Sequence, residues 1–412
     1  MSSLFNFAFR NAFKKGKLRV SNARGVVHEL GDGTGPLCAI HLTSLRTEIH
    51  LILDPALAFG EAYMSGDLIV EEGGLPLFLE IILRNTKGNQ LPPWTFILES
   101  FRYMFRRIHQ FNPRARSRRN VSAHYDITPE IYKLFLDSDM QYSCAYFENE
   151  GDSLEAAQLA KKRHLAAKLS MEPGQSVLDI GSGWGGMALY LAKVAGVKVT
   201  GITLSHEQLK ISEERAEAAG LDDKVAFRLE DYRETAGPYD RIVSVGMLEH
   251  VGITYYKTFF RRIYELLDDD GVAVIHSMFW PDGPYQTSAF IKKYIFPGGA
   301  IPALSDIVSA IEASGLLICD MEVLRLHYAE TVKIWRERFE ANRDEAVRLK
   351  GEEFFRMWQF YLAGSEASFR FHDLMVFQIQ LSRQQRAVPL TRNYIHDGEK
   401  RLSRRESAKR KN

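Results

Sequence analysis

Cysteine is scarce in this chain. Its 412 residues hold only Cys38, Cys144 and Cys319, too few and too scattered for a disulfide framework or a zinc site. A reducing compartment and no bound metal are the expectations that follow. Long apolar runs are also missing, and none approaches the roughly 20 residues that a membrane-spanning helix needs. The opening stretch MSSLFNFAFRNAFKKGKLRV lacks the early charge and the small-residue cleavage site of a secretory leader. The expected location is the cytoplasm, with membrane contact made only from the surface. An excess of charge is absent too: 53 basic against 52 acidic residues leave a net charge of +1, which singles out no partner. No nucleic-acid partner is expected. Composition is 45% hydrophobic and 25% charged, as in soluble globular proteins, so a sizeable core is available. The length suits two or three domains.

The first hundred residues differ from the rest. Between Leu18 and Leu53 the pattern leans towards strands, broken by Gly31-Asp32-Gly33-Thr34-Gly35-Pro36, and helical patterns follow at Pro55–Met64 and Leu75–Arg84. A small α+β domain over 1–100 is the expectation, with lipid or membrane contact as its role. A linker at 101–120 follows, rich in arginine. From 121 to 395 strands alternate with helices of 10–15 residues, beginning with SVLDI at 176–180 and continuing with VKVTGIT, KVAFRLE, RIVSVGM and GVAVIHS. That alternation predicts an α/β fold with a mostly parallel, doubly wound sheet. Residues 396–412 read as a basic tail with no need for order.

The chemistry begins where the first of these strands ends. Val177-Leu178-Asp179-Ile180 runs directly into Gly181-Ser182-Gly183-Trp184-Gly185-Gly186 and then a helix. Glycines let backbone approach a ligand, and a helix N-terminus offers free N–H groups. Dinucleotide folds use such turns as well. Two details argue against a dinucleotide. Asp179 would repel a pyrophosphate but suits a cationic amino-acid tail, and the next strand ends in Thr-Gly-Ile-Thr with no acid to grip an NAD ribose. These features resemble the Rossmann-like fold of class I methyltransferases that use S-adenosylmethionine. Thr203, Leu204, Ser205 and Gln208 past the second strand suit ribose hydroxyls. Past the third, Asp231 suits the adenine amino group and Tyr232 the adenine face. Each alone also reads as a cap, a surface polar group or a core residue.

Longer segments resemble the cyclopropane-fatty-acid synthase family and its mycolic-acid relatives. They are HYDITPEIYKLFLDSDMQYSCAYFE at 124–148, VLDIGSGWGG at 177–186, VTGITLSHEQ at 199–208 and DRIVSVGMLEHVG at 240–252, followed by KYIFPGG, HYAETVKIW and FRMWQFYL. The likeness spans about 120–390. Ser182 departs from the family's usual cysteine, and Asp268-Asp269-Asp270-Gly271 departs from its usual Lys-Pro-Gly type turn. The resemblance implies a cofactor site of Tyr142, Ser143, Asp179, Gly181, Gly183, Trp184, Gly185, Thr203, Leu204, Ser205, Gln208, Asp231 and Tyr232. It implies a catalytic group of Cys144, Glu249, His276 and Tyr328, which with the backbone near Met278 would hold bicarbonate as the base. Tyr142, Tyr146, Phe147, Tyr294 and Phe296 are expected to line the pocket.

On this reading the methyl carbon of S-adenosylmethionine goes to the cis double bond of an unsaturated phospholipid acyl chain, and a cyclopropane ring closes. The alternatives are a methyl-branched product from the same pocket, a small-molecule methyltransferase, and a lipid-binding protein with an inert fold. The substrate would be met by peripheral association with the inner membrane, and a homodimer stays open as the assembly. Phe5, Phe7, Phe9 and Phe13 beside Lys14, Lys15, Lys17 and Arg19 fit either an interfacial anchor or packing onto the domain. The linker arginines Arg114, Arg116, Arg118 and Arg119 fit either a solvated link or a patch drawn to anionic head groups.

Overall fold

The computed structural model describes residues 9–10, 12–86, 128–283, 285 and 287–409. It divides into two compact units. One comprises Met1–His109, Gln286–Pro297 and Ala329–Leu374, and the other Gln110–Tyr285, Gly298–Tyr328 and Met375–Asn412.

In the first unit, strands β1 (Lys17–Asn22), β2 (Val27–Leu30), β3 (Leu37–Leu42) and β4 (Leu68–Glu72) form a sheet of order β2-β1-β3-β4. Helices α1 (Leu45–Leu53), α2 (Pro55–Ser65) and α3 (Gly74–Thr86) accompany it. The α1 segment leans towards strand by composition, yet it is helical. Ser44 supplies the reason, because its side chain caps the first turn by accepting from the Thr47 N–H. Phe9 and Phe13 are buried and join a core with Leu18, Ile40, Leu68 and Phe78, so these two pack onto the domain. Phe5 and Phe7 lie outside the described residues, as do Arg114, Arg116, Arg118 and Arg119.

The second unit holds a seven-stranded sheet. Its strands are β5 (Ser176–Ile180), β6 (Lys198–Thr203), β7 (Val225–Leu229), β8 (Tyr239–Val245), β9 (Leu267–Phe279), β10 (Leu317–Val323) and β11 (Met375–Ser382). The order is β10-β11-β9-β8-β5-β6-β7, parallel from β7 to β9, with β11 antiparallel to both β9 and β10. The strands read as unbroken apolar runs because both faces are covered. Ile242 and Ile275 face one apolar cluster, while their neighbours Val243 and Val274 face another. Helices α4 (Leu154–Lys168), α5 (His206–Ala218) and α6 (Tyr256–Leu266) belong to this unit. The Asp268–Gly271 stretch, expected as a surface turn, runs inside β9 as an irregularity. Tyr239 pairs with Leu267, but two residues on Arg241 pairs with Val272.

Two further departures concern the chain's last third. Helices α7 (His327–Ala341), α8 (Arg343–Lys350) and α9 (Glu352–Phe371) fall, from Ala329 on, in the first unit. Sequence placed all of 121–395 in one domain. The apolar residues Ala363 and Ala367 of α9 complete the core around β1 and β3. The expected tail at 396–412 is largely a helix, α10 (Asn393–Lys409). Its Ile395 and Leu402 are buried in the core of the seven-stranded sheet, which explains its order despite the basic composition.

Candidate active site

A cleft opens where β5, β6, β7 and β8 end, the edge at which ligands bind in open α/β sheets. It is walled by Tyr142, Ser143, Asp179, Gly181, Gly183, Trp184, Thr203, Leu204, Gln208, Asp231 and Tyr232, all expected from sequence. Gly185 and Ser205 lie outside the wall. Gly185 has φ of 83°, and a Cβ there would stand 2.7 Å from the Phe227 ring. Its need for glycine therefore comes from packing. Ser205 is the N-cap of α5, accepting from the Gln208 N–H at 3.2 Å.

Most polar groups of the cleft are bonded to one another. Thr203 Oγ1 donates to Gln208 Oε1 at 2.8 Å. The Asp231 carboxylate is 1% exposed and gripped at both oxygens by Arg233, at 2.8 and 2.7 Å. Tyr232 stands edge-on to Phe259, with centroids 5.2 Å apart. Tyr142 and Trp184 both pack edge-on against Tyr132. Asp179 is the exception. It is 2% exposed, and among the described residues its Oδ2 has no hydrogen-bond partner. Burial pushes its carboxyl up to about 7, while the nearby Lys161 charge pulls the other way.

The polar residues Lys161 and His250 of this wall are not among those expected from sequence. Lys161 of α4 donates to Gln141 Oε1 and Ser143 Oγ, each at 2.7 Å. His250 follows Glu249, and burial holds its ring down to about 4, so it is neutral. The signals were weak. Lys161-Lys162 reads as a solvated face of a helix, and His250 as an ordinary part of Glu-His-Val-Gly.

The catalytic candidates are linked two by two through residues near them in the chain. Glu249 sits on a short helix, Leu248–Val251, and its Oε1 accepts from the Met278 N–H at 2.7 Å. That N–H was expected to face an anion, and here it serves Glu249 instead. Among the described residues Glu249 Oε2 is buried with no partner, and burial raises the carboxyl above its usual range against the Met278 N–H and the Ser277 side chain. His276 lies two residues before Met278 on β9, 3.3 Å from the Gln378 amide on β11. Burial, then the charge of Lys161, pushes its ring far below the usual range, so it is neutral.

Cys144 and Tyr328 form the second pair through their neighbours. Cys144 is fully buried. Two residues on, the Tyr146 ring lies between the imidazoles of His164 and His327, at 4.2 and 5.1 Å. The Phe147 N–H donates to His327 Nδ1 at 3.0 Å, which ties the Cys144 segment to the residue before Tyr328. His164 contacts Glu322 at 2.7 Å and Glu399 of α10 at 2.6 Å. Although burial opposes it, these carboxylates raise its pKa. Tyr146 is therefore clamped in this stack and is not part of the cleft wall. Tyr294 and Phe296 belong to the first unit, where Tyr294 donates to Glu61 at 2.8 Å and Phe296 stands edge-on to Tyr361. Among the described residues no His, Cys, Asp and Glu cluster could hold a metal.

Comparison with known proteins gives this arrangement its context. Residues 112–379 match the family model for mycolic acid cyclopropane synthetase. The chain is 36% identical over 333 residues to the cyclopropane-fatty-acyl-phospholipid synthase of Escherichia coli K12, covering 81% of this chain and 85% of that protein. It is 42% identical over 256 residues to a probable fatty acid methyltransferase of Pseudomonas putida, covering 60% of this chain and 65% of that one. Among solved structures, the cyclopropane synthase MmaA2 of Mycobacterium tuberculosis aligns with a TM-score of 0.62 and 31% identity, over 66% of this chain and 99% of that one. The mycolic acid cyclopropane synthase CmaA1 complexed with SAH and CTAB aligns equally well, at 0.62 and 32% over the same shares. The chain belongs to the cyclopropane synthase family and is an S-adenosylmethionine-dependent methyltransferase.

Proposed function

We propose that this enzyme builds a cyclopropane ring on the cis double bond of an unsaturated phospholipid acyl chain, with bicarbonate as the base. The observation that carries the reading is Glu249. Its carboxyl is buried without a cationic partner, one oxygen is unbonded, and burial favours its protonated form. A carboxyl in that state shares a proton with a small anion, where two full charges would repel.

Two orphaned oxygens test the fit of the absent groups. Asp179 Oδ2 in the cleft suits the ammonium of the cofactor's amino-acid tail, and Glu249 Oε2 suits a protonated or proton-sharing anion. When bound, S-adenosylmethionine supplies an electrophilic methyl, and bicarbonate takes a proton from that carbon so that its C–H electrons close the ring. The residues do the rest. Asp179 and the glycine turn orient the cofactor. Glu249, neutral His276, Cys144 and Tyr328 hold the anion, with Met278 acting through Glu249. The buried setting keeps water from the cationic carbon.

Two relatives favour a second product. They are a probable fatty acid methyltransferase and a tuberculostearic acid methyltransferase, at 42% and 36% identity. The same pocket yields a methyl branch if the proton leaves from a neighbouring chain carbon, whose C–H electrons then form a double bond beside the added methyl. Because the acyl chain lies in a bilayer, the proposal includes peripheral association with the cytoplasmic face of the inner membrane. Among the described residues no helix is long and apolar enough to cross one. The test is incubation with labelled S-adenosylmethionine and unsaturated phospholipid vesicles, followed by fatty-acid analysis. A labelled ring supports the reading, a labelled branch moves it to the second product, and unlabelled lipid refutes both.

A further inference from the structure

Lys161 is the least explained charge in the cleft. It is 1% exposed, and a buried ammonium is costly without an anionic partner. Both of its hydrogen-bond acceptors, Gln141 Oε1 and Ser143 Oγ, are neutral. An ammonium has three protons, so one is uncommitted. The neighbouring carboxylates are engaged elsewhere. Asp139 is held by Lys162 and Arg215, while Asp137 accepts from the backbone of Asp139 and Gln141. Asp179 lines the same cleft, and its Oδ2 bonds to nothing.

The wall thus offers one cation without a carboxylate partner and one carboxylate oxygen without a donor. These are the complements of an α-amino acid's two charged ends.

We propose that Lys161 binds the carboxylate of the cofactor's amino-acid tail while Asp179 takes its ammonium, so that the cleft selects a zwitterionic tail. Gln141 and Ser143 hold the Lys161 amine in place from the segment that also carries Tyr142. This inference rests on the cofactor and is independent of the lipid acceptor, so failure of ring formation leaves it standing.

The test compares two thioethers by calorimetry on the full chain at pH 7. One is S-adenosylhomocysteine, and the other is its decarboxylated counterpart, which keeps the ammonium. The wild type should prefer the first about 30-fold, the worth of one charge-assisted hydrogen bond. In Lys161→Gln, which still donates to Gln141 and Ser143, the preference should fall close to one, with the decarboxylated ligand's Kd changed less than about threefold. Lys161→Met should behave the same way. A preserved preference, or equal weakening of both ligands, overturns the proposal.

Wild-type protein gives a second reading that needs no variant. Burial lowers the Lys161 amine to about 8, against the opposing pull of Asp137, Asp139 and Cys144 and with the aid of Lys162. Its charge also reaches Asp179 and His276. The preference should shrink about fourfold between pH 7 and 8.5 as the amine deprotonates. A constant preference over that range overturns the proposal.

Discussion

The cofactor cleft and the Glu249 pocket solve the same problem, polar groups out of water, in opposite ways. In the cleft Thr203 closes on Gln208 and Asp231 on Arg233, so these walls are held by bonds within the protein. Around Glu249 and His276 burial works against charge, raising the carboxyl and keeping the imidazole neutral, and among the described residues Glu249 keeps an unbonded oxygen. Walls bonded to one another, with the single open oxygen of Asp179 facing the ligand edge, suit binding, whereas a raised acid beside a neutral imidazole suits proton transfer. The difference teaches which half holds and which half reacts.

The largest test of that division is Glu249→Gln. Turnover should fall by about a thousandfold while the Kd for S-adenosylhomocysteine stays within about threefold. Calorimetry beside a product assay measures both, and a large loss of affinity would erase the distinction.

Next is the scaffold behind Cys144 and Tyr328. Glu322→Gln strips a partner from both His164 and the buried Lys168, and should cost about 3 kcal/mol in urea unfolding. Its pH dependence has two signs. The raised His164 pKa adds stability that is present below its unfolded value and lost as pH rises through the folded one. The depressed Glu322 pKa, lowered by His164 and Lys168 against burial, adds stability that is lost as pH falls below the ordinary carboxylate range. The wild-type optimum between these limits should flatten in the variant.

On the cleft side, Asp179→Asn should weaken S-adenosylhomocysteine by about 30-fold and leave its tail-less analogue methylthioadenosine nearly unchanged. Equal losses would place Asp179 in the fold and not in the tail site. The smallest effect concerns lipid access. Changing Arg114, Arg116, Arg118 and Arg119 to alanine should weaken binding to anionic vesicles about tenfold, with salt doing the same. Binding that ignores both changes removes the linker from the membrane contact.

Much of the cleft was legible in sequence because it hangs on strand ends. Apolar runs marked β5 to β9, and the polar residues at or just past their ends, Asp179, Thr203 and Asp231, had to face the ligand edge. The remainder depended on contacts between distant segments. Lys161 looks solvated until α4 is packed against the segment that carries Ser143. The helix α1 needed one serine cap to override its strand-like composition. In the same way, α10 looks like a loose basic tail until Ile395 and Leu402 find the core, and α9 gives no local sign that Ala363 and Ala367 join the first unit's core beside α2 and α3.

The bond from Phe147 to His327 has a consequence for protons. A backbone N–H can only donate, so His327 Nδ1 must present a lone pair and the ring's hydrogen must sit on Nε2. The ring's pKa is lowered by burial, which keeps it in that neutral form. His164, between two carboxylates, carries both hydrogens. Tyr146 therefore lies between one charged and one uncharged imidazole. Adding a single proton to His327 would both repel its stacked counterpart and cut the tether that joins the Cys144 segment to Tyr328.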